Sequence, residues 1–382
     1  RSTLLASSAA SDVYKRQQVK FPLAADASNA AVQVLKEGEV QGSDVAAHSA
    51  GVLDIRTNIL ADTDALYLTA IDKYGHELWR WTFPVEKLNQ QSEPISFLSI
   101  RPTYTETEND LIVKANKRTF IFSKKDGQLK GVSVDNRKIS FANGPRFIGA
   151  RRADRSLDQF YNHDDEKAKE KDRTYSEFPD AAVFTKLDVK QDGGDLIVTA
   201  NYKLGNLDKA QWTINPSGDL ALDYTYNFSG VVDLMGIRFD YPEDQVISKR
   251  WLGAGPYRVW QNRIHGTQYD IWENDYNDPI PGETFTYPEF KGYFGNVSWM
   301  NIQTKEGTIS LTNETPDTYI GVYQPRDGRD RLLYTLPESG ISVLNVIPPV
   351  RNKVNSTDLC GPSSQPKWVN GPQTGRVIFR FM

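Results

Sequence analysis

The sequence predicts an all-β protein, and three observations predict it. Apolar and polar residues alternate with a period of two, most plainly at Leu220 to Phe228: Leu220, Leu222, Tyr224, Tyr226 and Phe228 share one face, and Ala221, Asp223, Thr225 and Asn227 take the other. Runs of this kind are joined by turn-forming clusters, namely Lys73-Tyr74-Gly75, Lys125-Asp126-Gly127, Asp192-Gly193-Gly194 and Asn215-Pro216-Ser217-Gly218. Aromatic residues are abundant, with 8 Trp, 18 Tyr and 17 Phe in 382 residues, which suits sandwiches that fill their cores and pair their strands with rings. Helical character is confined to the charged run Asp164 to Arg173, expected as a solvated surface helix capped by Asn162.

Composition narrows the function. Lys plus Arg number 45 against 49 Asp plus Glu, so there is no basic excess to draw in nucleic acid. No apolar run approaches the roughly 20 residues that a membrane helix needs, so a soluble chain without a membrane partner is expected. The single cysteine, Cys360, leaves no disulfide within the chain and no thiolate metal cluster. No His-x-His or His-x-x-x-His spacing marks a zinc site, so no metal site is expected.

Residues 1–17 read differently from the rest. Leu4 to Gln17 is similar to translated sequencing-adaptor read-through, and no charged segment followed by a long apolar one marks a signal peptide. The chain also begins without Met, in keeping with a truncated reading frame. The segment is therefore expected to be non-native or disordered and to lie outside the fold.

Residues 18–103 are expected to form an immunoglobulin-like β-sandwich short of its first strand, with strands at Ala31 to Leu35, Gly51 to Thr57, Leu66 to Asp72 and Glu77 to Val85. The last two make a hairpin with Trp79 and Trp81 on one face, and a linker holding Pro94 and Pro102 follows. Residues 104–382 carry strands at Leu111 to Ala115, Thr119 to Ser123, Leu129 to Val134, Val183 to Gln191, Leu196 to Leu204, Gln211 to Ile214 and Leu220 to Phe228. So many strands with so little helix predict two large antiparallel sheets packed face to face.

One stretch carries more than fold. From Trp251 the chain reads Trp-Leu-Gly-Ala-Gly-Pro-Tyr-Arg-Val-Trp-Gln-Asn-Arg, in which Gly253, Gly255 and Pro256 bend the end of an apolar strand into a corner dense with aromatic and amide side chains. Gly253, Gly255, Pro256, Tyr257, Trp260, Asn262, Arg263, Tyr269 and Trp272, with the later Tyr287-Pro288-Glu289, resemble the signature of the C-terminal domain of long β-galactosidases of glycoside hydrolase family 2. Asn116 to Phe120, running on to Gly127, resembles that domain's opening hairpin. Arg152-Ala153 and Asp158 resemble a loop of the family, although the Pro and Asn of that loop are absent here.

The resemblance implies that the second unit is a β-supersandwich similar to galactose mutarotases. It further implies that the chain is the non-catalytic C-terminal part of a glycosidase that hydrolyses terminal β-D-galactosyl residues with retention. A retaining glycosidase needs two carboxylates about 5.5 Å apart, and in the family both lie on a (β/α)₈ barrel. This chain shows no alternating strand and helix pattern, so no catalytic residue is assigned to it. The implied partners are a galactose-containing glycan and a catalytic barrel, in the same parent chain or in a large subunit, with a homo-oligomer left open. No cofactor is expected in this chain, while the parent's use of Mg or Na ions is implied by resemblance alone. The compartment also stays open, with the bacterial periplasm or secretion favoured over the cytoplasm.

Candidate substrate contacts are Arg152, Asp158, Asn345 and Trp368. In the family a late Trp-Leu-Asn segment lends an aromatic platform to the aglycone sugar. Val343-Leu344-Asn345 matches it, which leaves Trp368 to replace a platform at Val343. Arg258 and Arg263 are expected to pin the corner by pairing with Asp270 or Glu273. Asn313-Glu314, the one pair similar to the barrel's acid/base motif, reads as a hairpin turn because Pro316 and flanking strands account for it. Mutarotase chemistry would need a histidine with a carboxylate. His48, His76, His163 and His265 read instead as surface or satisfied residues. A free-standing carbohydrate-binding module and the small subunit of a two-chain β-galactosidase are the alternative functions.

Overall fold

The structure, a computed structural model, describes residues 6–7, 11–24, 30–42, 49–85, 101–152, 175–274, 292–322, 337–349 and 361–382. The expected helix Asp164 to Arg173, its cap Asn162, the candidate Asp158 and the Tyr287-Pro288-Glu289 turn lie outside the described residues. The chain forms two compact units, one of Arg1–Ile95 with Gln268–Ile271, the other of Ser96–Thr267 and Trp272–Met382.

In the first unit β1 (Ala6–Ser7) pairs with β4 (Ala50–Gly51), while β2 (Ser11–Lys20), β3 (Gln33–Gln41), β5 (Ala65–Asp72) and β6 (Glu77–Pro84) make a sheet in the order β3-β2-β5-β6. Ser11 to Gln17, set apart by the sequence reading, thus sit in the middle of a sheet. They bear few apolar side chains, so the pattern hides them, but their backbone is laddered on both sides, to β3 and to β5. Buried Gln18 anchors the strand: its Oε1 accepts from Leu60 N and Thr63 Oγ1, both at 2.9 Å, and its Nε2 donates to Asn58 O at 2.7 Å. The expected strand over Gly51 to Thr57 shrinks to the two residues of β4, and Leu53 and Ile55 pack partly buried against Tyr14, Leu68 and Ala70 without a ladder. The β5–β6 hairpin forms as predicted, with Leu68 opposite Trp81 and Ala70 opposite Trp79.

The second unit runs, in chain order, through β7 (Thr103–Glu106), β8 (Asp110–Ala115), β9 (Arg118–Ser123), β10 (Leu129–Val134), β11 (Arg137–Ile139), β12 (Ala142–Arg152) and β13 (Tyr175–Glu177). It continues with β14 (Val183–Asp192), β15 (Asp195–Lys203), β16 (Leu207–Ile214), β17 (Leu220–Val232), β18 (Leu234–Asp240), β19 (Val246–Gly255) and β20 (Gln268–Asn274), of which Gln268–Ile271 group with the first unit. The last strands are β21 (Phe294–Gly295), β22 (Trp299–Thr304), β23 (Gly307–Asn313), β24 (Tyr319–Val322), β25 (Ile341–Val346) and β26 (Lys367–Phe381). One sheet has eleven strands, ordered β21-β24-β25-β18-β12-β10-β9-β8-β7 with β11 and β13 at its side. The other has nine, ordered β14-β15-β16-β17-β26-β23-β22-β19-β20.

The two sheets face each other across one continuous core. Leu220, Leu222, Tyr224 and Tyr226 are at most 2% exposed, as the alternation of β17 requires, and they meet Phe120, Phe147, Ile237 and Phe239 from the other sheet. Phe141 stacks on Phe239 at 4.7 Å between centroids, and Phe379 and Phe381 lie within 5.3 Å of it. The all-β class read from the sequence is therefore the class observed. Gly193 at φ +58° and Gly218 at φ +82° occupy the left-handed turn positions for which glycine was read.

The end of β26 is tied to β17 by a forked ion pair, in which Arg380 Nε and Nη2 each donate to Asp219 at 2.6 Å. Burial pushes the Asp219 carboxyl up. The hydrogen bonds and charge of Arg380, aided by Asn215 and Arg118, outweigh that and hold it below the usual carboxylate range. A group lowered in the folded state stabilises above its unfolded value of about 3.9 and loses that contribution as pH falls through the folded value. Thermal melts between about pH 6 and 2 should therefore show a steeper acid loss for the parent chain than for Asp219→Asn. Parallel acid limbs would contradict this.

Candidate functional site

The aromatic corner is built by close approach to two glycines. Trp272 lays its indole over Gly255, where an added Cβ would stand 2.4 Å from its Cδ1, and its Nε1 donates to Gly253 O at 3.2 Å. Gly253 in turn packs against the backbone of Gly295 and Asn296, 3.0 to 3.1 Å from where its Cβ would be. Trp251, 2% exposed, donates from Nε1 to Ala254 O at 3.0 Å and meets Phe294 edge-on at 4.9 Å. Trp260 is as buried, edge-on to Tyr293 at 5.6 Å. The Gly255-Pro256 peptide is cis.

Beyond Trp260 the corner reaches the last loop of the chain. Gln261 donates from its backbone to Pro348 O at 3.1 Å and from Nε2 to Gln365 O at 2.8 Å, and Asn262 Nδ2 donates to Ser364 Oγ at 3.3 Å. Ser364 and Gln365 end a short 3-10 turn, Pro362–Ser364, that leads into β26, where Trp368 stands 71% exposed opposite Val231 of β17. Tyr257, at the other end of the corner, is 64% exposed. Most of the predicted signature residues are thus consumed in holding the corner, and Asn262 and Trp368, far apart in sequence, belong to one loop cluster.

The expected ion pairs differ. Glu273 is held by Arg250 at 2.8 Å, because β19 and β20 are neighbours, and Asp270 accepts from the Tyr67 hydroxyl within the first unit. Arg258 lies over the Phe294 ring at 5.1 Å. Beneath the corner Lys249 is 2% exposed, and burial first, then the Arg258 charge, hold its ammonium well below the usual lysine range.

The remaining candidates separate. Arg152 closes β12, opposite Tyr175 in the eleven-stranded sheet. Val343 is 1% exposed and faces the core from β25, so a platform cannot stand at that position, whatever residue fills it. Asn345, on the same strand, accepts the Tyr226 hydroxyl at 2.6 Å through Oδ1 and lines a cleft of about 740 Å³. In that cleft Arg376 joins two carboxylates, Asp223 through Nη1 at 2.5 Å and Glu314 through Nε at 2.9 Å.

Asp223 and Arg376 escape a reading of the sequence because each looks like a solvent-facing strand residue and 153 positions separate them. Glu314 lies in the expected turn, which Asn313 ties through Thr318 Oγ1 at 2.8 Å and the carbonyls of Val297 and Thr315 at 3.2 Å. His76 and His265 are exposed, His76 beside Asp72 at 3.1 Å. Among the described residues no three His, Cys, Asp or Glu side chains converge as metal ligands.

The corner and the strand that follows its loop leave the Tyr257 and Trp368 rings exposed. No curated protein matches the chain. Among solved structures it is similar to a galactose 1-epimerase from Lactobacillus acidophilus NCFM, at 10% identity over 74% of this chain and 99% of that one, with a TM-score of 0.39. The protein HI1317 follows at 9% identity, 74% and 100% coverage and a TM-score of 0.32, and the Salmonella typhimurium protein YeaD at 9%, 74% and 95%, with 0.30. The family model described as beta galactosidase small chain matches residues 114–346, more than half of the sequence. The chain therefore belongs to the β-galactosidase small-chain family.

Proposed function

We propose that this chain is the non-catalytic C-terminal part of a glycoside hydrolase family 2 β-galactosidase. In this reading an immunoglobulin-like domain over 18–103 precedes a supersandwich over 104–382. The supersandwich completes the mouth of an active site whose retaining carboxylates lie on a barrel elsewhere in the parent protein. The observation that carries the proposal is the pinning of the signature corner, through Gln261 and Asn262, to the turn that presents Trp368. An exposed indole is the flat apolar face that a pyranose ring covers, and Val343, where the family's platform aligns, is buried.

Two measurements test this. The purified chain should release no nitrophenol from p-nitrophenyl β-D-galactoside, whereas the parent protein that includes the barrel should. Within the parent, Trp368→Ala should leave the melting temperature within about 1 °C, since an exposed side chain contributes little to stability. It should raise KM for a galactosyl disaccharide roughly tenfold, equivalent to about 1.4 kcal/mol of lost contact. Hydrolysis by the isolated chain, or an unchanged KM, would end the proposal. Micromolar lactose binding by the isolated chain that Trp368→Ala abolishes would favour a free-standing module.

A further inference from the structure

The cleft between β17, β26, the β23–β24 turn and Asn345 is a place apart from the Trp368 loop. Arg376 lies eight residues beyond Trp368 on β26, roughly 26 Å along an extended strand. Its polar groups are held by the fold. Arg376 bridges Asp223 and Glu314, and its backbone N–H and C=O both engage Thr315 Oγ1, at 2.7 and 3.1 Å. Each carboxylate keeps acceptor capacity beyond its single contact with the guanidinium. Arg376 Nη2 and Asn345 Nδ2 have no partner among the described residues, and Asn345 is oriented by the Tyr226 hydroxyl on its Oδ1.

Tyr224, 2% exposed, lines the cleft although it belongs to the core face of β17. Its phenol crosses β26 at Gly375, where a Cβ would meet Oη at 2.2 Å, so only glycine lets the hydroxyl through. That hydroxyl is shut off from solvent beside the Thr315 side chain, so the phenol packs beneath the cleft.

We infer that this cleft is a second carbohydrate site, which reads adjacent hydroxyls of a neutral sugar. Carboxylates of Asp223 and Glu314 accept from one hydroxyl while Arg376 Nη2 and Asn345 Nδ2 donate to its neighbour, above the buried Tyr224 ring. Donors and acceptors alternate on a rigid sheet, as a vicinal diol demands.

The test is lactose binding to the full chain, followed by ligand-observed NMR and titration in four variants, with circular dichroism to verify folding. Arg376→Lys, which loses the planar fork but keeps the charge, and Glu314→Gln, which keeps size and turn, should each weaken lactose at least tenfold. Trp79→Ala, at an exposed position of the first unit, should leave cleft binding within twofold. Gly375→Ser, if folded, should abolish it by displacing the Tyr224 hydroxyl. Lactose binding that is absent, or that survives Arg376→Lys and Glu314→Gln unchanged, overturns the inference. So does a lysine-rich peptide that binds where lactose does not, since the cleft would then be reading charge.

Discussion

Gly236→Ala is expected to remove about 3 kcal/mol or more of stability, a large share of the roughly 5–15 kcal/mol that holds a typical domain folded. Gly236 sits mid-strand in β18 with a partner on each side, Ile148 of β12 and Leu344 of β25. A Cβ there would lie 2.2 Å from Val343 O and 2.6 Å from Leu344 Cα, and both are backbone atoms. A flexible side chain could swing away; a ladder strand cannot. Relief therefore requires β25 to move off β18, which breaks hydrogen bonds and uncovers Val343 and Leu344, each at most 1% exposed. Urea unfolding followed by circular dichroism measures the loss. A cost under about 1 kcal/mol would mean that the two strands stand farther apart than described here.

Trp212→Ala should cost about 3–5 kcal/mol, the range found when a buried aromatic is truncated and the core cannot close over the void. Trp212 is fully buried on β16 and touches both sheets. Its ring lies 5.9 Å from Phe122 and 6.0 Å from Phe239, which belong to the opposite layer. Trp212→Phe should recover more than half of the loss. Trp79→Ala, at a 51% exposed position, should change stability by no more than about 0.5 kcal/mol. Equal melting temperatures for the Trp212 and Trp79 variants would place the core elsewhere.

What the sequence reveals is local, and what it hides is long-range. The strand at Leu220 and its turn at Asn215 are legible because alternation and turn chemistry act within a few residues, and β17 is found with its predicted face buried. The first half of β2 is hidden because its partners, rather than its side chains, make it a strand. The corner is legible as a bend, since Gly253, Gly255 and Pro256 announce one. The reason for Gly255, an indole seventeen positions later, appears only when the chain is folded. Alignment of a short motif misleads at Val343, where likeness of three letters cannot tell a buried strand from an exposed loop. The Asp223–Arg376–Glu314 bridge carries no local mark at all, because its members come from three separate segments.

The position of β26 has a consequence for how the protein is made. This strand lies between β17, which it meets over thirteen residue pairs from Leu220 with Phe379 to Val232 with Lys367, and β23. A ribosome adding about 5–20 residues per second needs roughly 7–30 s to travel from β17 to its partner. For that interval the nascent nine-stranded layer is split into two halves with naked inner edges, each able to pair with a neighbouring nascent chain. Yield in the cell should therefore depend on chaperones that shield exposed strands during translation, and slower synthesis would lengthen the vulnerable window.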